Sequence, residues 1–224
     1  MQKSEKLGTE KIGKLLASQA IPAAIGFMLM SFNMIVDTFF VGQYIGKLAI
    51  GAVGIVTPIA FLMSSVGMAI GVGGGSIVSR ALGAKQKEKV QLAFNNQISL
   101  TIIISFLLSV LGYIFMDEIL TIFGALGKLK PNSDIYYSRL LIGIPFLSIA
   151  MMANNNLRAE GKPKIAMLVL LVPSIFNMIL DYIFIILLDY GMEGAAWATS
   201  ISYVASFLGI AYYYLAGKGE LKID

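Results

Sequence analysis

The chain has 224 residues, 57% of them hydrophobic and 13% charged, with a mean hydropathy of +0.79. A soluble domain of this length cannot hide so much apolar surface, so the composition indicates an all-α protein that crosses a membrane several times. The net charge of +4 comes from basic residues set between apolar runs, the pattern of cytoplasmic loops and not of a nucleic-acid surface, and the absence of cysteine and histidine excludes thiol chemistry, disulfides and imidazole metal sites.

Met1 to Lys14 is polar, and the long apolar run that follows has no small-residue cleavage site, so the expectation is an uncleaved first span and not a signal peptide. Six spans are predicted, at residues 15–41, 50–82, 91–115, 133–156, 163–188 and 194–216. The first carries Pro22 early and Asp37 near its far end. The second exceeds the length of a perpendicular crossing and must tilt or project. It contains Gly67, Gly71 and Gly75 at four-residue spacing, which lets another helix backbone approach closely. Its run Gly71-Val-Gly-Gly-Gly-Ser76 lacks the Lys-Ser/Thr of a phosphate loop and the third glycine of a dinucleotide fingerprint. Asp117 to Asp134 is the longest predicted loop, with Gly124, Gly127 and Pro131 as breakers. Tyr136 and Tyr137 open the fourth span at an expected interface belt.

Thirteen of the 17 basic residues fall on one side if the amino terminus is cytoplasmic; only Lys47, Lys128, Lys130 and Arg139 fall on the other. The positive-inside rule therefore predicts an inner-membrane protein with both termini in the cytoplasm. Spans one and five then run in the same direction, which gives meaning to a duplicated word. Asn33-Met-Ile-Val-Asp37 recurs as Asn177-Met-Ile-Leu-Asp181, each copy following a proline (Pro22, Pro173) inside an apolar run. Amide and carboxylate at i and i+4 share a helix face. Ionisable groups at such depth are costly and are kept for function. Thr199, early in span six, is expected at similar depth. Carboxylates, amide oxygen and hydroxyl are hard donors suited to a proton or sodium, and two carboxylates in a low-dielectric site favour sharing one proton. The predicted cation site is Asp37, Asn177, Asp181 and Thr199, with Asn33 beside it. The twelve methionines, Met178 among them, are candidates for an adaptable apolar wall, with gap-filling as the plainer role. No nucleophile–base pair is visible, so no enzyme is expected, and no cofactor beyond H+ or Na+ as coupling ion.

Four stretches resemble the amino-terminal lobe of the multidrug and toxic compound extrusion (MATE) family of secondary transporters. They are Asp37-Thr-Phe-Phe-Val-Gly42, Gly73-Gly-Gly-Ser-Ile-Val-Ser-Arg-Ala-Leu-Gly83, Pro173-Ser-Ile-Phe-Asn-Met-Ile-Leu-Asp181 and Gly194-Ala-Ala-Trp-Ala-Thr199. The resemblance implies a six-helix lobe, one of two in a twelve-helix transporter, with a cation site at the positions of Asp37, Asn177, Asp181 and Thr199. It implies Tyr136 and Asn154 as further members of the lobe's cavity, and Pro22 as a hinge. It further implies alternating-access export of amphipathic, cationic organic compounds, with the second lobe supplied by a homodimer or a carboxy-terminal half. Gly217 to Asp224 then begins the link between lobes. Two alternatives stay open: a lipid-linked sugar flippase of the same superfamily, disfavoured by the acidic polar set, and a non-transporting assembly subunit using the glycine face of span two.

Overall fold

In the computed structural model, residues 11–217, 219 and 221 are described; Met1 to Glu10 and most of the expected inter-lobe link lie outside them. Among the described residues there are seven α-helices and no strand. In lipid every backbone N–H and C=O must be satisfied within the chain, and helices achieve this locally. Helix α1 covers Ile12–Phe40 and runs on through a π-helical turn, Val41–Ile45. The chain then reverses at Gly46, whose φ of 122° is open to glycine and strained for other residues. Helix α2 spans Lys47–Gly83 and α3 spans Lys87–Ile114. The short α4, Met116–Ile122, precedes α5, Lys130–Ala159. Helix α6, Pro163–Asp181, ends in a second π-helical segment, Tyr182–Leu187, and α7 is Gly191–Leu215. All but α4 are long and apolar enough to cross a membrane. The 37 residues of α2 extend about 55 Å, well beyond a hydrocarbon core of about 30 Å, so it tilts or protrudes.

The stretch expected to be the longest loop is largely ordered. Helix α4 occupies its first part, and Pro131 sits in the first turn of α5, where its missing N–H has no intrahelical partner to lose, so it starts a helix and does not break one. Lys130 bonds both Asp117 of α4 and Asp134 of its own helix, clipping the short helix to the bundle.

Helix α5 is the hub, packed against α2, α3 and α7, while α1 pairs mainly with α6. Two apolar cores form. One, near the α4 end, includes Val56, Leu120, Tyr137 and Ile144; the other, near the α5–α6 turn, includes Phe94, Met152, Leu157 and Tyr214. Gly67, Gly71 and Gly75 of α2 face inward between them. A Cβ on Gly67 would overlap the Ser148 carbonyl of α5, and one on Gly71 would lie 2.7 Å from Met152 Cα. The glycine face is thus consumed by α5 and is closed to an outside partner, which removes the surface assigned to the assembly-subunit alternative. Gly67→Val is expected to destabilise the protein by about 3 kcal/mol or prevent folding, because backbone and not a movable side chain opposes the new atoms. Thermal unfolding in detergent, with Gly73→Val as the control at a position with open space, measures this.

Candidate functional site

The duplicated word meets itself. Helices α1 and α6 lie side by side, and Asn33 Nδ2 donates to Asn177 Oδ1 at 2.8 Å and to the Ser174 carbonyl at 3.1 Å. One turn further on, Asp37 and Asp181 face each other within hydrogen-bonding reach. Proline shapes the same region. Pro173 has no N–H to give the Val169 carbonyl four residues back, and Ser206 of α7 bonds that carbonyl at 3.2 Å. The break in one helix ladder thereby ties α6 to α7 beside the site.

Burial separates the two aspartates. Asp181 is wholly buried, while Asp37, at 9% exposure, reaches the wall of a cavity of about 480 Å³. Asp37 Oδ1, both carboxylate oxygens of Asp181 and Asn177 Nδ2 have no hydrogen-bond partner. Two carboxylates are acceptors only, so neither can satisfy the other until a proton or cation lies between them. An unpaired buried charge is expensive, and a bound cation removes that cost. The donor set fits such an ion: hard oxygens, converging, shielded from water. Among the described residues no group of three or more acidic side chains that could hold a metal ion occurs, so the carboxylates here are a pair and not a cluster.

The other expected members fall in different places. Thr199 lines the cavity, with its hydroxyl donating to the Ala195 carbonyl of its own helix at 3.0 Å. Tyr136 and Asn33 also line it, Tyr136 buried beside Thr199. Asn154 does not: its amide donates to the Ala166 carbonyl at 2.6 Å and fastens α5 to α6. Met178 is also off the cavity wall, because one residue after Asn177 turns a side chain about 100° around the helix. Pro22 lies within α1, ten residues after Ile12 and five before Phe27, where the α1 part of the cavity wall begins. Residues not anticipated include Tyr203 and Ser206 on α7 and Phe61 on α2. Tyr203 and Ser206 follow Thr199 at i+4 and i+7, so the helical face already carried the signal.

Comparison with known proteins gives the family and the shared fold. Residues 22–183 match the MatE family model. The chain is 28% identical over 214 residues to the FAD transporter of Shewanella oneidensis, covering 94% of this chain and 47% of that protein. It is 28% identical over 211 residues to multidrug export protein MepA of Staphylococcus aureus, with the same coverage of 94% and 47%. The outward-facing structure of a multidrug resistance MATE family transporter superposes with a TM-score of 0.92 at 28% identity, over 99% of this chain and 49% of that one. The chain thus spans about half the length of these relatives, one six-helix lobe's worth. With more than half its residues matched and the fold shared along its length, the chain belongs to the MatE family, whose members are transporters and not enzymes.

Proposed function

We propose that this chain is the amino-terminal lobe of a cation-coupled antiporter that exports amphipathic organic compounds. The observation that carries the reading is the pair of facing carboxylates, with three donorless oxygens, set against a cavity of about 480 Å³. That volume suits a drug-sized molecule. Met30, Met34, Met68, Met151 and Phe61 offer it an adaptable apolar wall, and Asp37 offers an organic cation a counter-charge. An ion between Asp37 and Asp181 favours one arrangement of α1 against α6, and substrate in the cavity favours another; that difference is what couples the two. A single shared proton joins one oxygen of each carboxylate as they stand. Sodium requires more: Asn177 must turn its oxygen away from Asn33 toward the ion. The test is substrate-triggered ion release from vesicles containing this chain and its complementary lobe, with a proton-sensitive and a sodium-sensitive dye in parallel. Release of one ion is expected; release of neither on substrate transport overturns the reading.

Orientation belongs to the same proposal. At the α4 end Lys130 is paired with Asp117 and Asp134, and Arg139 with Glu193 at 2.8 Å, so two of the four basic residues there are neutralised. The opposite end keeps its positive excess, as a cytoplasmic face does. Since the chain has no native cysteine, introduced ones report cleanly. Cysteines at Lys87 and Lys164 are expected to react only with reagent on the cytoplasmic side, and one at Lys128 only from outside. Lys164 is chosen because Lys162 is buried against Glu160. Reaction of Lys87 and Lys128 positions from one face would sink the six-span orientation.

A further inference from the structure

Past Phe27, at the cavity's other end, stands a charge of opposite sign. On α1, Phe27, Met30, Met34 and Asp37 line the cavity in one stripe, so Phe27 lies ten residues, about 15 Å, from Asp37. On α5, Leu147 and Met151 line it, and Arg158 stands seven residues beyond Met151 on the same face. The Arg158 guanidinium lies over the Phe27 ring, 5.6 Å from its centroid. Arg158 is half-buried, and among the described residues it has no carboxylate and no hydrogen-bond acceptor. Its neighbours do not compete for that role: Lys162 pairs with Glu160, and Arg80 Nε donates to the Ser76 carbonyl.

A guanidinium offers five N–H donors in a planar fork matched to phosphate or carboxylate. Placed at the edge of an apolar bundle without an acceptor, it is a cation lacking its anion. The surroundings raise the local potential further. At this end Lys11, Lys14, Arg80, Lys85, Lys87, Lys89, Lys162 and Lys164 face only Glu88 and Glu160 among the described residues. The region is therefore bipolar, with a carboxylate pair at one end of the cavity, methionine and phenylalanine along its wall, and beyond Phe27 an arginine clamped on that ring.

We infer that Arg158 is an oxyanion-binding residue at the basic mouth of the cavity, taking the phosphate of an amphipathic ligand whose apolar part lies along the methionine wall. The inference rests on the cavity being the substrate path, but binding at Arg158 does not need ion coupling. Two sources carry the same chemistry, a transported phosphorylated compound or a membrane phospholipid headgroup. The experiment uses riboflavin and its 5′-phosphate, a fluorescent pair differing only in the phosphate, titrated into the purified chain in detergent, together with native mass spectrometry of phosphatidylglycerol retained by the protein. Wild type is expected to bind the phosphate ester about tenfold or more tightly than riboflavin, as a charge-assisted bidentate contact provides, with Arg158→Gln abolishing the preference and Arg158→Lys restoring part of it. Equal binding of the two flavins, with phosphatidylglycerol lost only in Arg158→Gln, assigns the same site to lipid. If neither ligand responds to Arg158→Gln in a variant that elutes and melts as wild type, the assignment is overturned. Loss of ion coupling with this phosphate preference intact would count against the exporter reading alone.

Discussion

Asp181→Asn is expected to reduce substrate-triggered ion release to the level of protein-free vesicles while leaving the protein folded. Both oxygens of Asp181 are buried without a donor, facing Asp37. Asparagine has the same shape, removes the titratable group and adds an N–H₂ that Asp37 can accept. The replacement thus trades an unsatisfied acid pair for a hydrogen bond, which leaves stability unchanged or raises it by about 1 kcal/mol. A fall in ion release can then be read as loss of the coupling ion and not of structure. Asp37→Asn is expected to act in the same direction. The double variant should be little worse than Asp181→Asn alone, because groups that share one ion act as a unit. Substrate binding, measured by fluorescence, should survive in Asp181→Asn, since Asp181 lies behind the cavity wall. Wild-type coupling in this variant would place the ion elsewhere and make the repeated word a coincidence.

What the sequence made legible follows from the period of the helix and the solvent. Six apolar runs in lipid can hardly be anything but helices, and the basic residues order them. The word shared by Asn33–Asp37 and Asn177–Asp181 pointed to a meeting because two parallel spans at one depth can bring like to like. The direct Asn33–Asn177 bond is that meeting realised. Other features depend on information no single stretch contains. Whether Asn154 faces the cavity or α6 depends on which side of α5 the start of α6 packs, and Ala166 decides it. Glycines spaced for close approach do not name their partner; the backbone at Ser148 and Met152 does. Helix α4 was hidden because seven residues are too few for a clear period, and its hold comes from Lys130 across the turn. Arg158 read as a topology signal, since its stacking on Phe27 joins residues 131 positions apart in the chain.

A lobe by itself is expected to bind substrate and not to transport it. In vesicles containing this chain alone, substrate-driven ion flux should stay at the protein-free level, and addition of a complementary six-helix lobe should restore it. The reason lies in how the cavity is walled. Helices α1, α2, α5, α6 and α7 line it and leave it partly open. Alternating access needs two bodies that rock about a site held between them, so that the cavity faces one side of the membrane at a time. A single body with an open cavity has no second wall to seal, and its carboxylates would exchange ions with one side in both states. The relatives meet this requirement with chains about twice as long. A second copy of this chain meets it equally well in principle, and cross-linking in membranes separates the two: a dimer of one mass, or a heavier partner. Ion-coupled export by a chain that cross-linking and mass measurement prove monomeric would refute the two-body requirement for this protein.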